Sequence, residues 1–243
     1  MVAIKGPGPV PARAGTGAGV TGSRVMSKST RIDPGRVIMV PIFVFFLIQV
    51  ACVIVIRGRN LSPVTVPKVL NLIYSVLVAC FYVLMVVLYL VRTSATATTP
   101  SLVTKVIAVA ATFLPFTLLV LPEPMVKRAA LVACGDLIML LGIGLSVYAL
   151  GTLGRSFSII PQARRLMRSG PYRIVRHPLY LGELITMFGA VLASATAARA
   201  AVCLLLVACQ VYRAIREEQL LGGAFPEYPE YASRTARFVP GVF

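Results

Sequence analysis

Six apolar runs follow one another along the chain, at residues 37–56, 69–91, 102–121, 129–150, 179–198 and 200–212. A helix needs about 20 residues to cross the ~30 Å hydrocarbon layer. Inside that layer each backbone N–H and C=O must find its partner within the protein, so an apolar run of this length folds as a helix. The first five runs are long enough, although Lys105 shortens the third in effect. The sixth, at 13 residues, is too short alone and is expected to continue as helix through 213–221. Only SATAARA separates the fifth and sixth runs, which predicts a tight C-terminal helical hairpin. The expected fold is therefore all-α: a polytopic transmembrane helical bundle of about six spans.

Composition agrees. The chain is 58% hydrophobic and 13% charged, with a mean hydropathy of +0.86, whereas soluble domains carry about 25% charged residues. Its 24 Lys and Arg against 8 Asp and Glu give a net charge of +16. In a soluble chain that excess would point to nucleic acid, but no basic stripe interleaved with base-stacking aromatics is present, so no nucleic-acid partner is expected. In a membrane chain it marks the cytoplasmic loops and their contact with anionic lipid headgroups. With both termini in the cytoplasm, 18 of the 24 Lys and Arg fall on the cytoplasmic side and 6 on the other.

Residues 1–36 are rich in Gly, Pro, Ala, Ser and Thr and read as a disordered basic tail. The GTGAG at 15–19 has neither the preceding strand nor the following helix of a nucleotide loop. Residues 37–150 hold four N-terminal helices, and 151–243 form a distinct C-terminal region. The five cysteines all lie in apolar runs and read as small buried hydrophobes. None forms a CxxC, and a single histidine cannot complete a zinc set, so no metal site is expected.

That histidine, His177, ends GRSFSIIPQARRLMRSGPYRIVRHP, a segment with six arginines and no acid. Gly170-Pro171 signals a turn. Pro178 suits the first turn of a helix, which places His177 near a helix N-cap at the membrane surface, where anions are favoured. The other charged segment closes the sixth run: VYRAIREEQLLGGAFPEYPEY. Arg213 and Glu217 are four apart on one helical face, and four of the eight acids lie between 217 and 230. Arginines and an imidazole on one side, with a carboxylate pair and Tyr172, Tyr180, Tyr228 and Tyr231 on the other, can hold a zwitterion. S-adenosylmethionine carries such charges, as does a phospholipid headgroup, and these residues alone do not choose between them. A basic loop gripping lipid phosphates and an Arg213–Glu217 surface ion pair are the simpler alternatives. Asp136 and Glu183 are either proton sites of a transporter or, more simply, interhelical hydrogen-bonding groups. Gly142 and Gly144 are expected to allow close helix packing.

GPYRIVRHPLYLGE, followed by RAIREEQLLGGAFPEYPEYASRTARFVPG, resembles the isoprenylcysteine carboxyl methyltransferase family and, more distantly, the phospholipid methyltransferases. The resemblance runs over residues 148–241. It implies an integral membrane methyltransferase with a cytoplasmic cofactor pocket for S-adenosyl-L-methionine (product S-adenosyl-L-homocysteine) and a catalytic region at 151–243. Carried over, it implies that Arg165, Leu166, Met167, Tyr172, His177, Pro178, Leu179 and Tyr180 form the pocket. Glu217 closes it with Glu218 as a neighbour, Arg213 meets the substrate, and Arg213, Glu217 and His177 form the catalytic group. The expected partners are membrane lipids and a lipophilic or prenylated substrate. Two other readings stay open, a sterol-type membrane reductase using NADPH and a non-enzymatic lipid-binding or transporter-like protein. The hairpin makes a geometric demand as well: equal rises along its two arms bring His177 and Glu217 to one depth, on opposite walls of one pocket, with residues 225–231 as its lid.

Overall fold

The computed structural model describes residues 34–93, 95–124 and 128–241. The proposed tail lies almost wholly outside them. Among the described residues the fold is all-α, with a single two-residue ladder, and the protein is built as an integral membrane protein. Among these residues four helices have the length and apolarity to cross a bilayer: α1 (Pro34–Arg59), α2 (Val66–Val91), α4 (Ala129–Leu153) and α6 (Ala197–Ala224). Two shorter apolar helices lie among them, α3 (Leu102–Phe113) and α5 (Pro178–Ala193). A last short helix, α7, spans Tyr228–Arg234.

The third apolar run does not form one continuous α-helix. It tightens into a 3-10 segment at Leu114–Leu119, because Pro115 cannot donate into the helical ladder and the Thr117 hydroxyl takes the Leu114 carbonyl at 2.7 Å. The fifth run stops at Ala193, since Thr196 serves as the N-cap of α6, its side chain accepting from the Arg199 N–H at 3.3 Å. The sixth run extends through 213–221 as its charged end required.

Large apolar side chains face outward on most of these helices. Leu141 and Leu204 are about 70% exposed, as expected where the solvent is lipid. The cysteines follow the same logic. All five are free thiols, and Cys52, Cys80 and Cys134 are exposed on outer helix faces. The expectation that they are buried is therefore corrected: an apolar surrounding allows a thiol outside the core.

The interior is assembled from three kinds of contact. Aromatic rings join α1 to its neighbours: Phe46 stacks on Tyr82 at 5.7 Å and on Phe116 at 4.2 Å. Polar groups tie α1, α2 and α4. Arg57 donates to the Asn71 carbonyl at 2.6 Å, and Asn71 donates to Asp136 at 3.3 Å. Asp136 thus makes an interhelical hydrogen bond, the simpler of the two roles open to it. The third contact is glycine-on-backbone packing between the antiparallel α4 and α5. A Cβ on Gly189 would lie 2.7 Å from the Gly135 carbonyl oxygen, and one on Gly142 would lie 2.8 Å from that of Gly182. Gly144 faces open space instead, so of the two glycines expected to permit close packing only Gly142 does so.

This interlock makes α4 the main partner of α5, and α6 packs less extensively on α5. The expected α5–α6 hairpin forms across residues 194–196, with Gln210 donating to Glu183 and Tyr180 to Glu217 between its arms, and α5 is in addition seated on α4. Gly189→Val is expected to lower the unfolding temperature in detergent by several degrees, because overpacking a close interface costs about 1–3 kcal/mol. Gly144→Ala should leave it nearly unchanged, and equal effects of the two would refute the interlock.

The charged segments sort to the two ends of the bundle. At one end Arg36 donates to the Arg92 carbonyl at 2.8 Å and Thr93 N–H to the Arg155 carbonyl at 3.2 Å. There β1 (Ala97–Thr98) pairs antiparallel with β2 (Gln162–Ala163). At the other end Arg199 donates to the carbonyls of Leu118, Leu121 and Pro122 at 3.0–3.3 Å. The segments that the charge bias placed on one side, 92–105, 151–178 and 213–238, meet at the first end.

Candidate active site

Two glycines shape the loop between α4 and α5. Gly154 and Gly170 have φ values of 54° and 56°, a region open to glycine and strained for other residues. Gly154 ends α4, and Gly170 begins a 3-10 turn through Arg173. The chain then reaches His177, one residue before α5.

His177 occupies the N-cap position, but its side chain caps no backbone N–H. The ring is engaged elsewhere. It stacks on Tyr180 with centroids 5.3 Å apart and planes 2° apart. Its Nε2 lies 3.1 Å from Glu218 Oε1, and its Nδ1 lies 3.9 Å from Glu217 Oε2. His177 and Glu217 are therefore neighbours. The opposite-walls expectation is corrected, because the Tyr180 hydroxyl donates to Glu217 at 2.8 Å and draws the end of α6 onto the start of α5.

The adjacent glutamates divide their work. Glu217 faces a cleft, where it is the only carboxylate in the lining among the described residues. Glu218 lies behind the wall and is saturated. It accepts from Arg176 Nε at 2.8 Å, from Arg237 Nε at 3.0 Å and from Arg237 Nη2 at 2.8 Å, in addition to its His177 contact. Arg176 continues the network by donating to the Ala232 carbonyl at 2.7 Å. Backbone bonds run beside it, Arg176 N–H to Ala236 O at 2.8 Å and His177 N–H to Arg237 O at 3.2 Å. The C-terminal tail is thereby sewn to the loop that carries His177.

Arg213 and Glu217 go to different partners. The Arg213 guanidinium is buried 4.6 Å from the Tyr180 ring centroid. It donates to the Ile159 carbonyl at 3.0 Å and to Gln210 Oε1 at 2.9 Å, while the Gln210 amide donates to Glu183. Glu183 thus belongs to a polar chain within the bundle that ends at Arg213.

The cleft is narrow and opens to solvent. Of the residues expected to form a pocket, Arg165, Leu166, Met167, Tyr172, His177, Leu179, Tyr180 and Glu217 line it. Pro178, Glu218 and Arg213 do not: Pro178 and Arg213 are buried and Glu218 is turned toward the arginines. Sequence reasoning missed Phe157 and Gln162, which also line the cleft. No motif marks them, since they arrive through the β1–β2 ladder and the turn after α4. Residues 225–231 do fold over this region. Tyr228 and Tyr231 line the cleft, and the Tyr231 hydroxyl donates to the Tyr172 carbonyl at 2.7 Å. Burial raises the phenol pKa values here, Tyr231 to about 12 and those of Tyr172 and Tyr228 higher, with the charge of Glu217 adding to the rise. At neutral pH all three are un-ionised hydrogen-bonding groups.

Chemically, the cleft combines one carboxylate, an exposed arginine (Arg165), aromatic faces and neutral phenols. A cationic nitrogen can meet Glu217 and an anionic group Arg165, with the aromatic faces for a flat heterocycle. Among the described residues no group of three His, Cys, Asp or Glu is placed to hold a metal ion.

Residues 130–227 match the phospholipid methyltransferase family, which bears out the resemblance read from the sequence. The chain is 37% identical over 107 residues to the cobalt-zinc-cadmium resistance protein CzcN of Cupriavidus metallidurans, covering 42% of this chain and 50% of that protein. It is 32% identical over 106 residues to the nickel-cobalt-cadmium resistance protein NccN of Alcaligenes xylosoxydans xylosoxydans, with the same coverage. The chain thus spans about half the length of the curated relatives it matches.

Proposed function

We propose that the phospholipid methyltransferase segment at 130–227 makes this chain an integral membrane methyltransferase, using S-adenosylmethionine to methylate a lipophilic acceptor at the cytoplasmic face. The observation that carries this is the cleft itself, where residues from the 154–177 loop, the start of α5 and the end of α6 converge around the Glu217 carboxylate. Its lining fits the cofactor's groups: Glu217 for the ammonium, Arg165 for the carboxylate, and the aromatic and apolar wall of Tyr172, Leu166 and Met167 for the nucleoside. When bound, the cofactor supplies a methyl group activated on a sulfonium.

The chain's own residues then have defined tasks. His177 and Tyr180 hold Glu217 in place, and Tyr228 and Tyr231 cover the site and exclude water. A carboxylate acceptor is already ionised at neutral pH and needs no base. An amine acceptor must lose a proton, and Glu217 or His177 can receive it. Arg213 orients the acceptor end of the site through the Ile159 carbonyl and Tyr180, while Glu218 acts on His177 and the tail. The acceptor is an isoprenoid, a phospholipid or an amphiphilic acid that reaches the cleft from the bilayer. The two relatives' names add a physiological setting of tolerance to divalent metals, to which this chain would contribute by modifying such a lipid.

Calorimetry on the purified protein in detergent tests the reading. Wild type should bind S-adenosylhomocysteine and be stabilised by it, and His177→Ala should bind about fivefold to thirtyfold more weakly, the loss of one or two polar contacts at about 1 kcal/mol each. Stabilisation by NADPH without any response to S-adenosylhomocysteine would replace this function with the reductase reading.

A further inference from the structure

Among the described residues, three of the buried phenols are paired. Tyr89 accepts from the Ile159 N–H at 3.2 Å, Tyr180 donates to Glu217 at 2.8 Å, and Tyr231 donates to the Tyr172 carbonyl at 2.7 Å. Tyr228 is different. Its hydroxyl is shielded from water and has no hydrogen-bond partner, although the residue is only 7% exposed and lines the cleft. A buried donor without a partner is destabilising, and native proteins keep few of them.

Tyr228 N–H donates to the Phe225 carbonyl at 3.0 Å, closing the turn that begins α7. The ring meets Tyr231 edge to face at 6.1 Å. On the α6 side it abuts Gly222, where an added Cβ would come within 3.6 Å of Tyr228 Cδ1. A backbone turn, a neighbouring ring and a glycine together keep an unpaired donor beside an open cleft. The two tyrosines of α7 thus differ in kind: Tyr231 fastens the lid to the loop, and Tyr228 has its hydrogen bond still to make.

We propose that the Tyr228 hydroxyl is a binding group of the cleft, a hydrogen-bond donor kept for an acceptor oxygen or nitrogen of the methyl-donor nucleoside. This rests on the methyltransferase reading above, because Tyr228 shares the cleft with Arg165, Tyr172 and Glu217, the residues assigned there to that ligand. Burial, with the charges of Glu218 and Glu217 adding to it, raises the phenol pKa, so at neutral pH the hydroxyl is protonated and can donate.

The test is Tyr228→Phe in the full chain, with Tyr231→Phe as its counterpart. Two readouts are taken in detergent, the melting temperature without ligand and the affinity for S-adenosylhomocysteine by calorimetry. In Tyr228→Phe they should move in opposite senses. Removing an unpaired buried hydroxyl raises the ligand-free melting temperature, while losing the bond it makes to the ligand weakens binding about fivefold to tenfold. Tyr231→Phe should lower the ligand-free melting temperature, since it breaks a bond already present. Unchanged affinity in Tyr228→Phe overturns the proposal and leaves the methyltransferase reading standing, provided wild type binds. A lower ligand-free melting temperature in Tyr228→Phe overturns it too, because the hydroxyl would then be paired within the protein. Absence of binding by folded wild type overturns the reading and the proposal together.

Discussion

Glu217→Gln is expected to weaken S-adenosylhomocysteine binding by about 10- to 100-fold while leaving the melting temperature of the ligand-free protein close to wild type. Among the described residues Glu217 is the only carboxylate in the cleft lining, so its removal takes away the negative charge that this lining offers an ammonium group. A hydrogen bond to a charged partner contributes about 1.5–3 kcal/mol, which corresponds to the stated factor. The fold has little reason to respond. Glutamine keeps an oxygen that can accept the Tyr180 hydroxyl, and among the described residues the ion-pair contact of Glu217 is with His177 and not with an arginine. Calorimetry read beside a thermal melt separates the two effects. Wild-type affinity in the glutamine variant would remove Glu217 from the site.

Glu218→Ala should do the reverse and act first on the structure. The carboxylate is 13% exposed and compensates Arg176 and Arg237 while contacting His177. Deleting one member of a mostly buried charge network costs about 3–5 kcal/mol, since the remaining cations are left without compensation. The segment released is the one those arginines hold, residues 228–238. Deuterium exchange in that segment should rise well above its rate in the transmembrane helices, and protease sensitivity near α7 should rise with it. Glu218→Gln, which keeps an acceptor oxygen, should fall between. Ligand affinity declines in both variants through loss of the lid. Protection of 228–238 equal to wild type in the alanine variant would show that the latch lies elsewhere.

The adjacent glutamates illustrate how far the sequence could be read. Its resemblance to a methyltransferase family named Glu217 and Glu218 together as neighbours of the cofactor, because a motif records positions and not directions. Successive residues on an α-helix point about 100° apart, so one carboxylate can face the cleft while the next turns to the arginines behind it. Which does which depended on the return of the tail: Arg237 lies 19 residues beyond Glu218 and reaches it only because the tail pairs with the 174–177 strand-like segment. Arg213 shows the same limit. Its spacing from Glu217 favoured an ion pair, but Gln210 and the Ile159 carbonyl, one on its own helix and one on a loop 54 residues away, claimed the guanidinium.

Several features were decided by sequence alone. Hydropathy dictates apolar helices because backbone groups in lipid have no other partners. The extension of α6 past its apolar part, the turn at Gly170, the helix start at Pro178 and the gathering of the basic segments at one end also follow from local chemistry or charge. What tertiary structure decided was of a different kind. Gly135, Gly142, Gly182 and Gly189 seat α5 on α4 through a surface that no periodicity distinguishes from the open face at Gly144. Gln162 enters the cleft through a two-residue ladder and Phe157 through the turn after α4. Tyr228 is unpaired and Tyr231 paired although both belong to one repeated motif. Local signals act over a few residues of chain, whereas the partner of a buried polar group is set by whichever distant segment packs against it, and that is known only once the helices are in place.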